Sequence, residues 1–276
     1  MLATLDRVLR AAQRKRYAVG AFNTSNLETT QAIIETADRL RSPVIVNVTE
    51  KAIAYGGLPA LTAIVTVLAK RAHVPVVLNL DHGRSIATVR AALSAGFTGV
   101  MLDASRQPYA VNVRWTKTVV ALAKKTGAGT EGELGVVAYV DEEITETDPW
   151  QAGDFVRRTG VDAFAVGIGN AHGPVRADEH LNFDRLRAIR KHVRVPLVLH
   201  GASGTKPAAI RRAIALGIAK INIDTDLRRA FTGQLRTALA SDRRGFDPRS
   251  FLLPAREAVA KVVSRKIRMF GGAGRG

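Results

Sequence analysis

The chain has 276 residues, is 46% hydrophobic but only 5% aromatic, and carries a formal charge of +17. That length supports one large α/β domain or two small ones, and the dominance of Ala, Val, Leu and Ile suits buried parallel strands sheathed by helices. The absence of cysteine excludes disulfides, thiolate metal sites and cysteine nucleophiles, so any metal must be held by histidine, carboxylate or backbone oxygen.

The first sixteen residues, MLATLDRVLRAAQRKR, lack the apolar centre of a signal peptide and have the spacing of an amphipathic helix. Beyond them short apolar runs alternate with segments of helical spacing. Strands are predicted over 17–23, 43–49, 75–81, 99–105, 129–135, 162–170, 195–203 and 218–225. Helices are predicted over 27–41, 58–72, 86–96, 109–126, 149–159, 183–192, 206–216 and 227–240, with one more over 254–268 before a glycine-rich tail. Thr159-Gly160 and Leu216-Gly217 stop helices, while Val74-Pro75 and Val195-Pro196 open strands.

Eight strand–helix units predict an α/β fold of the (β/α)8 TIM-barrel class; a doubly wound open sheet would use fewer strands. No linker, low-complexity stretch or break in composition divides the chain, so residues 1–276 read as a single barrel domain with a C-terminal helical extension. No apolar run reaches the roughly 18 to 20 residues of a membrane span. The expectation is a cytoplasmic protein with no membrane partner.

The high charge favours acidic partners such as nucleic acid, anionic membrane or phosphorylated metabolites. The basic clusters are short, however: Arg14-Lys15-Arg16, Arg211-Arg212, Arg228-Arg229 and Arg243-Arg244. No aromatic residues interleave with them to form a stacking platform. Solvated helix faces are the simpler reading, and nucleic acid is disfavoured as a partner. A basic nucleic-acid-binding protein on an inactive barrel stands as the alternative from another class.

Active sites of such barrels are built at the carboxyl ends of the strands, so the residues predicted there carry the argument. In order they are Asn23; Thr49 and Glu50; Asp81, His82 and Gly83; Asp103 and Ser105; Glu131 and Glu133; Asn170, His172 and Gly173; His200, Gly201 and Ser203; and Asn222, Asp224 and Thr225. Polar and ionisable groups recur at one end, which packing does not explain. His73 and His192 precede strands and belong near the opposite face. His82, His172 and His200 follow strands, each directly before a glycine. One such histidine is ordinarily a hydrogen-bonded structural residue. Three on one rim, with carboxylates nearby, point to a metal, and three histidines with one open position are a catalytic zinc arrangement. Gly173, Gly201 and Gly204 permit close backbone approach, Ser203 and Thr225 offer hydroxyls, and Arg176 adds charge, as phosphate recognition requires. Ordinary strand-to-helix turns are the other reading of the glycines.

The set NLDHG (79–83), EGELG (131–135), GNAHG (169–173), LHGASG (199–204) and NIDTD (222–226) resembles the class II, zinc-dependent ketose-bisphosphate aldolases, which include fructose- and tagatose-bisphosphate aldolases. The resemblance runs from AFNTSNLET (21–29) to KIRMFGGAGR (266–275). It implies that His82, His172 and His200 hold the catalytic zinc, and that Asp103 and Glu133 serve a secondary position for a second divalent or monovalent cation. It implies that Asp81 is the acid/base on the C4 hydroxyl and that Asn222 contacts the enediolate. Gly173, Gly201, Ser203, Asp224 and Thr225 would surround the dihydroxyacetone-phosphate end, with Asn23 and Thr49 also facing substrate. Arg176 stands where the family usually has a phosphate-binding lysine, which keeps charge but alters geometry. The family's glycine-rich loop with a proton-exchanging acid is replaced by VVAYVDEEITETD (136–148). Asp141 is the best match for that acid and Glu142 its neighbour; a solvated acidic loop is the alternative. The implied activity is zinc-dependent cleavage of a ketose 1,6-bisphosphate, fructose favoured and tagatose or another phosphorylated ketose the alternative, in a homodimer or homotetramer.

Overall fold

Short runs of Val, Ile and Leu suit strands covered on both faces, and this chain closes eight strands into a cylinder, most of them mainly apolar and the fifth, GTEGEL (129–134), the polar exception. The structure is a computed structural model that describes residues 1–136, 145–171, 173 and 181–276. Its strands are β1 (Val19–Asn23), β2 (Val44–Thr49), β3 (Val76–Gly83), β4 (Gly99–Leu102), β5 (Gly129–Leu134), β6 (Ala163–Val166), β7 (Leu197–Leu199) and β8 (Ile218–Ile223). They form a closed parallel barrel in sequence order, with β8 pairing back onto β1.

The helices among the described residues are α1 (Leu5–Arg14), α2 (Leu27–Arg39), α3 (Glu50–Gly56), α4 (Leu58–Arg71), α5 (Ile86–Ser94), α6 (Tyr109–Thr126), α7 (Pro149–Thr159), α8 (Phe183–His192), α9 (Pro207–Ala215), α10 (Thr225–Ser241) and α11 (Pro248–Met269). Several starts carry side-chain caps: Asn26 accepts from the Thr29 N–H, Ser85 from Thr88 and Asp148 from Gln151. None of them is singly long and apolar enough to cross a membrane. Outward strand residues such as Val44, Val46, Leu78 and Leu80 form one apolar layer with the helices, reaching from Ala18 to Phe270.

The observed elements differ from the predicted ones mainly at the rim. Strands predicted to run to 105, 170, 203 and 225 end at Leu102, Val166, Leu199 and Ile223, because the polar residues beyond them leave the ladder to face the barrel mouth. Helix α3 follows β2 directly, with the Thr49 hydroxyl accepting from the Ala52 N–H. The last helix starts at Pro248 behind the Asp247 cap and contains Pro254. Proline suits a first turn and resists an interior position, so both prolines invite a start, and burial of Phe251 and Ala255 carries the helix through the second.

Inside the barrel the alternation of β-strands sorts residues by height. Val19, Ala21 and Asn23 ascend β1; Ile45, Asn47 and Thr49 ascend β2; Val77, Asn79 and Asp81 ascend β3. Each inward series begins apolar and ends polar. At the amino end α1 closes the cylinder, with Leu5, Val8, Leu9 and Ala12 packed in one cluster with Val19, Ile45, Val77, Ala163 and Val198. The opposite end is left to polar chemistry.

Candidate active site

The upper inward layer meets at a cavity of about 450 Å³, lined by Asn23, Asp81, His82, Asp103, Asn222 and Asp224 among others. Asp81 is its fixed point. Its Oδ2 accepts from Asn23 Nδ2 at 2.9 Å and its Oδ1 from Asn222 Nδ2 at 3.0 Å. Burial alone would raise this carboxyl, but His82, Lys220 and His200, together with the Asn23 hydrogen bond, outweigh it and hold the group below the usual aspartate range. The carboxylate form is therefore the resting form.

Asn23 is itself held from below. Asn79 Nδ2 donates to Asn47 Oδ1 at 2.9 Å, and Asn47 Nδ2 donates to Asn23 Oδ1 at 3.4 Å. A chain of three amides thus climbs three strands to Asp81. It needs a glycine on the next strand: a Cβ on Gly99 would sit 2.5 Å from Asn79 Oδ1.

The imidazoles stand beside this carboxylate. His82 and His200 lie edge to face, ring centroids 4.6 Å apart. His82 adopts φ +49 within an irregularity of β3 between Leu80 and Gly83. A non-glycine residue held in the left-handed region is strained, and such strain collects at functional sites. Here it swings the ring over the mouth, where Nδ1 lies 2.9 Å from Asp103 Oδ2. His200 is fully buried, with Nε2 2.7 Å from Glu131 Oε1; the other carboxylate oxygen of Glu131 receives Lys220 Nζ at 2.7 Å. Nδ1 of His200 lies on the Glu133 side, 3.7 Å from its Oε2.

This donor set suits a cation. Asp81, His82 and His200 offer ligand atoms all within 4.8 Å of one another, as do His82, Asp103 and Glu133. Glu133 Oε2 is buried without a hydrogen-bond partner. Burial and the neighbouring Asp103 charge push the Glu133 carboxyl up to about 8, the behaviour of carboxylates crowded together in one buried site. Nitrogen and oxygen donors so arranged fit a borderline divalent metal better than a hard oxygen-only one.

The rest of the cavity is lined by glycine backbone, short hydroxyl side chains and a charged pair. Gly201 and Gly204, after β7, take φ +62 and +78, a turn that turns backbone towards the mouth without a side chain in the way. Ser203 is buried beside the start of α10, its Oγ 3.4 Å from the Asp226 N–H. Asp224 carries Arg228 Nε at 2.7 Å.

The residues expected at the site that can be located, namely Asn23, Thr49, Asp81, His82, Asp103, Gly173, Gly201, Ser203, Asn222, Asp224 and Thr225, line this one cavity, with His200 and Glu133 buried against it. Thr225 is the first residue of α10 rather than the end of β8. His172, Arg176, Asp141 and Glu142 lie outside the described residues. His73 sits away from the cavity, its Nδ1 3.2 Å from Asp38, and His192 lies against Trp150 with ring centroids 5.1 Å apart. Sequence reasoning missed the Glu131–Lys220 pair and the Asn47–Asn79 steps. The signal available was a set of charged or amide side chains at alternate positions of apolar runs, which only an inward face near a polar site tolerates.

A closed parallel barrel gathering carboxylates, imidazoles and amides at its carboxyl end has the architecture of the TIM-barrel enzymes, whose active sites lie at that end. The particular branch follows from likeness: residues 3–275 match the model of fructose-bisphosphate aldolase class-II, and the chain belongs to that family. It is similar to the fructose-bisphosphate aldolase of Thermus caldophilus, 45% identical over all of both chains, and to that of Geobacillus stearothermophilus, 42% identical over 99% of this chain and 98% of the relative. Among solved structures, the YdjI aldolase of Escherichia coli K12 superposes with a TM-score of 0.88 at 36% identity, covering 100% of this chain and 99% of that one. The protein is therefore an aldolase, a carbon–carbon lyase, of a metal-dependent family, with a possible metal site at Asp81, His82 and His200.

Proposed function

We propose that this protein is a zinc-dependent aldolase that reversibly cleaves fructose 1,6-bisphosphate to dihydroxyacetone phosphate and glyceraldehyde 3-phosphate. The observation that carries the reading is the Asp81 carboxylate, gripped by Asn23 and Asn222 beside His82 and His200 in one cavity. The names of the relatives, fructose-bisphosphate aldolases at 42% and 45% identity, support the substrate.

His82, His172 and His200 would hold the zinc, with Asp103 and Glu133 at a second cation position. When bound, zinc supplies Lewis-acid stabilisation of the charge that develops as the C3–C4 bond breaks. Asp81 takes the proton of the C4 hydroxyl, whose C–O becomes the aldehyde carbonyl, while the C3–C4 electron pair passes to the three-carbon fragment. Two amide hydrogen bonds fix the direction from which Asp81 approaches that proton. Asn222 Oδ1, buried and without a hydrogen-bond partner, accepts from a hydroxyl of that fragment. The backbone around Gly173 and Gly201, with Ser203, Asp224 and Thr225, receives the C1 phosphate, and Arg176 adds charge there. Asp141 returns the proton to C3. The family resemblance further supports a cytoplasmic homodimer or homotetramer, which sedimentation reads directly.

Metal analysis and aldol cleavage on one preparation test the reading. Zinc should copurify, chelation should remove activity and zinc should restore it. Fructose 1,6-bisphosphate should be cleaved in preference to its tagatose epimer. Full activity after complete chelation would sink the zinc assignment.

A further inference from the structure

The turn after β7 places Gly201 and Gly204 in the left-handed region, and glycine backbone keeps a single shape only when something outside it holds it there. Two of its residues are tied to one residue in the first turn of α10. Ser203 Oγ accepts from the Asp226 N–H at 3.4 Å, and the Gly204 N–H donates to Asp226 Oδ2 at 3.2 Å. That same Oδ2 lies 2.7 Å from Lys266 Nζ of α11. We infer that Lys266 is a positioning residue: through Asp226 it fixes the β7–α9 turn in the shape that binds the phosphate of the three-carbon fragment. The inference rests on the aldolase reading above, which assigns that phosphate to this turn.

Lys266 is buried where a lysine is usually solvated. Along α11 Val259, Val262, Val263 and Ile267 pack into the apolar layer around the barrel, and Lys266 is buried with them, 3% exposed. A basic residue in a last turn complements the helix dipole equally well from the surface, so the helix end does not account for the burial. Taking an ammonium out of water is costly, and a carboxylate partner does little more than offset that cost. An apolar side chain would serve packing as well, so packing does not account for the pair either.

The place of Asp226 does. Its carboxylate follows Thr225, which lines the cavity, and an uncompensated negative charge there would oppose a phosphate. Asp224 just before it has Arg228 Nε at 2.7 Å, and Lys266 supplies the corresponding cation for Asp226. The carboxylate is also the post to which the Gly204 N–H is bound, and Lys266 anchors that post to a helix whose apolar face is packed against the barrel. The backbone around Gly201 and Ser203 is thereby held in one arrangement before substrate arrives. Such preorganisation raises affinity by removing the ordering cost from the binding step.

The test uses Lys266→Met, Asp226→Asn, which keeps an acceptor for Gly204, and the double variant. Calorimetry on the zinc-loaded proteins should show Kd for dihydroxyacetone phosphate raised by about 5- to 30-fold in each. The double variant should lose no more than the worse single one, because all three lack the same ion pair. In the condensation direction KM for glyceraldehyde 3-phosphate should stay within about twofold of wild type. The double variant leaves neither ion unpaired in the interior, so it keeps the test readable where a single variant fails to fold. A folded double variant with the wild-type Kd overturns the positioning role even if it melts lower, and so does an equal loss for both substrates. Additive losses in the two single variants also overturn it, since the residues would then act apart. Wild-type protein that neither binds dihydroxyacetone phosphate nor cleaves fructose 1,6-bisphosphate overturns the aldolase reading, and the positioning role with it.

Discussion

The two ends of this barrel are made by the same strands, yet they obey opposite rules. At the amino end the inward residues Val19, Ile45 and Val77 pack with Leu5 and Leu9 of α1, and burial there stabilises the fold directly. At the carboxyl end, two or four residues further along the same strands, Asn23, Asn47 and Asp81 are buried or nearly so, with Glu131, Lys220 and His200 beyond them. Burial of such groups costs free energy unless every one is paired. The difference teaches that the amino end holds the cylinder shut so that the other end can carry groups that would not assemble by themselves. Substitutions at the amino end should therefore lower stability alone, whereas those at the carboxyl end reach activity, stability or both.

The largest effect is expected from His200→Ala. Cleavage should fall by more than about a thousandfold, over 4 kcal/mol of transition-state stabilisation, and zinc content should drop with it. Unfolding should shift too, because the ring is fully buried and is one of the two hydrogen-bond partners of Glu131, so turnover and zinc content are read on the folded protein. Near-normal turnover would refute the role proposed for this ring. Next comes Lys220→Met, which strands Glu131 in the interior with one partner gone. Breaking a buried pair from one side costs about 3 to 5 kcal/mol, so denaturant unfolding should shift even though Lys220 lies outside the proposed catalytic set. A shift below about 1 kcal/mol would mean that water reaches the pair. Leu9→Ala should cost about 2 to 5 kcal/mol at the plugged end with kcat unchanged. A parallel fall in kcat would erase the distinction between the ends.

How much of this was legible before the structure depends on the kind of signal. The barrel was readable because eight short runs alternating with helical segments admit few arrangements, and the rim residues because Asn23, Asp81, His82 and His200 interrupt apolar runs where strands end. What sequence could not supply was handedness in space. Glu131 and Glu133 sit two apart on one inward face, yet one binds Lys220 and His200 while the other faces Asp103 and His82. That division depends on β5 lying opposite β8 and β7, which no local pattern encodes. Lys220 is not among the expected site residues, although its position within an apolar strand is the available clue. The start of α11 is expected at Pro254, where proline suits a first turn, but the helix begins earlier, at Pro248, and burial of Phe251 and Ala255 carries it through Pro254.

The smallest expected effect sharpens the comparison most, because Asn47 stands at the height where one rule gives way to the other. It lies between Ile45 of the apolar cluster and Thr49 of the rim, accepting from Asn79 and donating to Asn23. Asn47→Leu keeps the branching of the side-chain heavy atoms and removes both bonds. Asn79 Nδ2 then loses its acceptor, at about 1 to 3 kcal/mol, and Asn23 keeps its bond to Asp81 without support from below. If the amide chain positions the proton carrier, kcat should fall by about 3- to 10-fold while KM stays nearly constant, the mark of an interaction felt only in the transition state. If the chain is scaffolding alone, unfolding should shift by the same 1 to 3 kcal/mol or so with kcat untouched, and the boundary between the two ends would lie above Asn47, at Asn23.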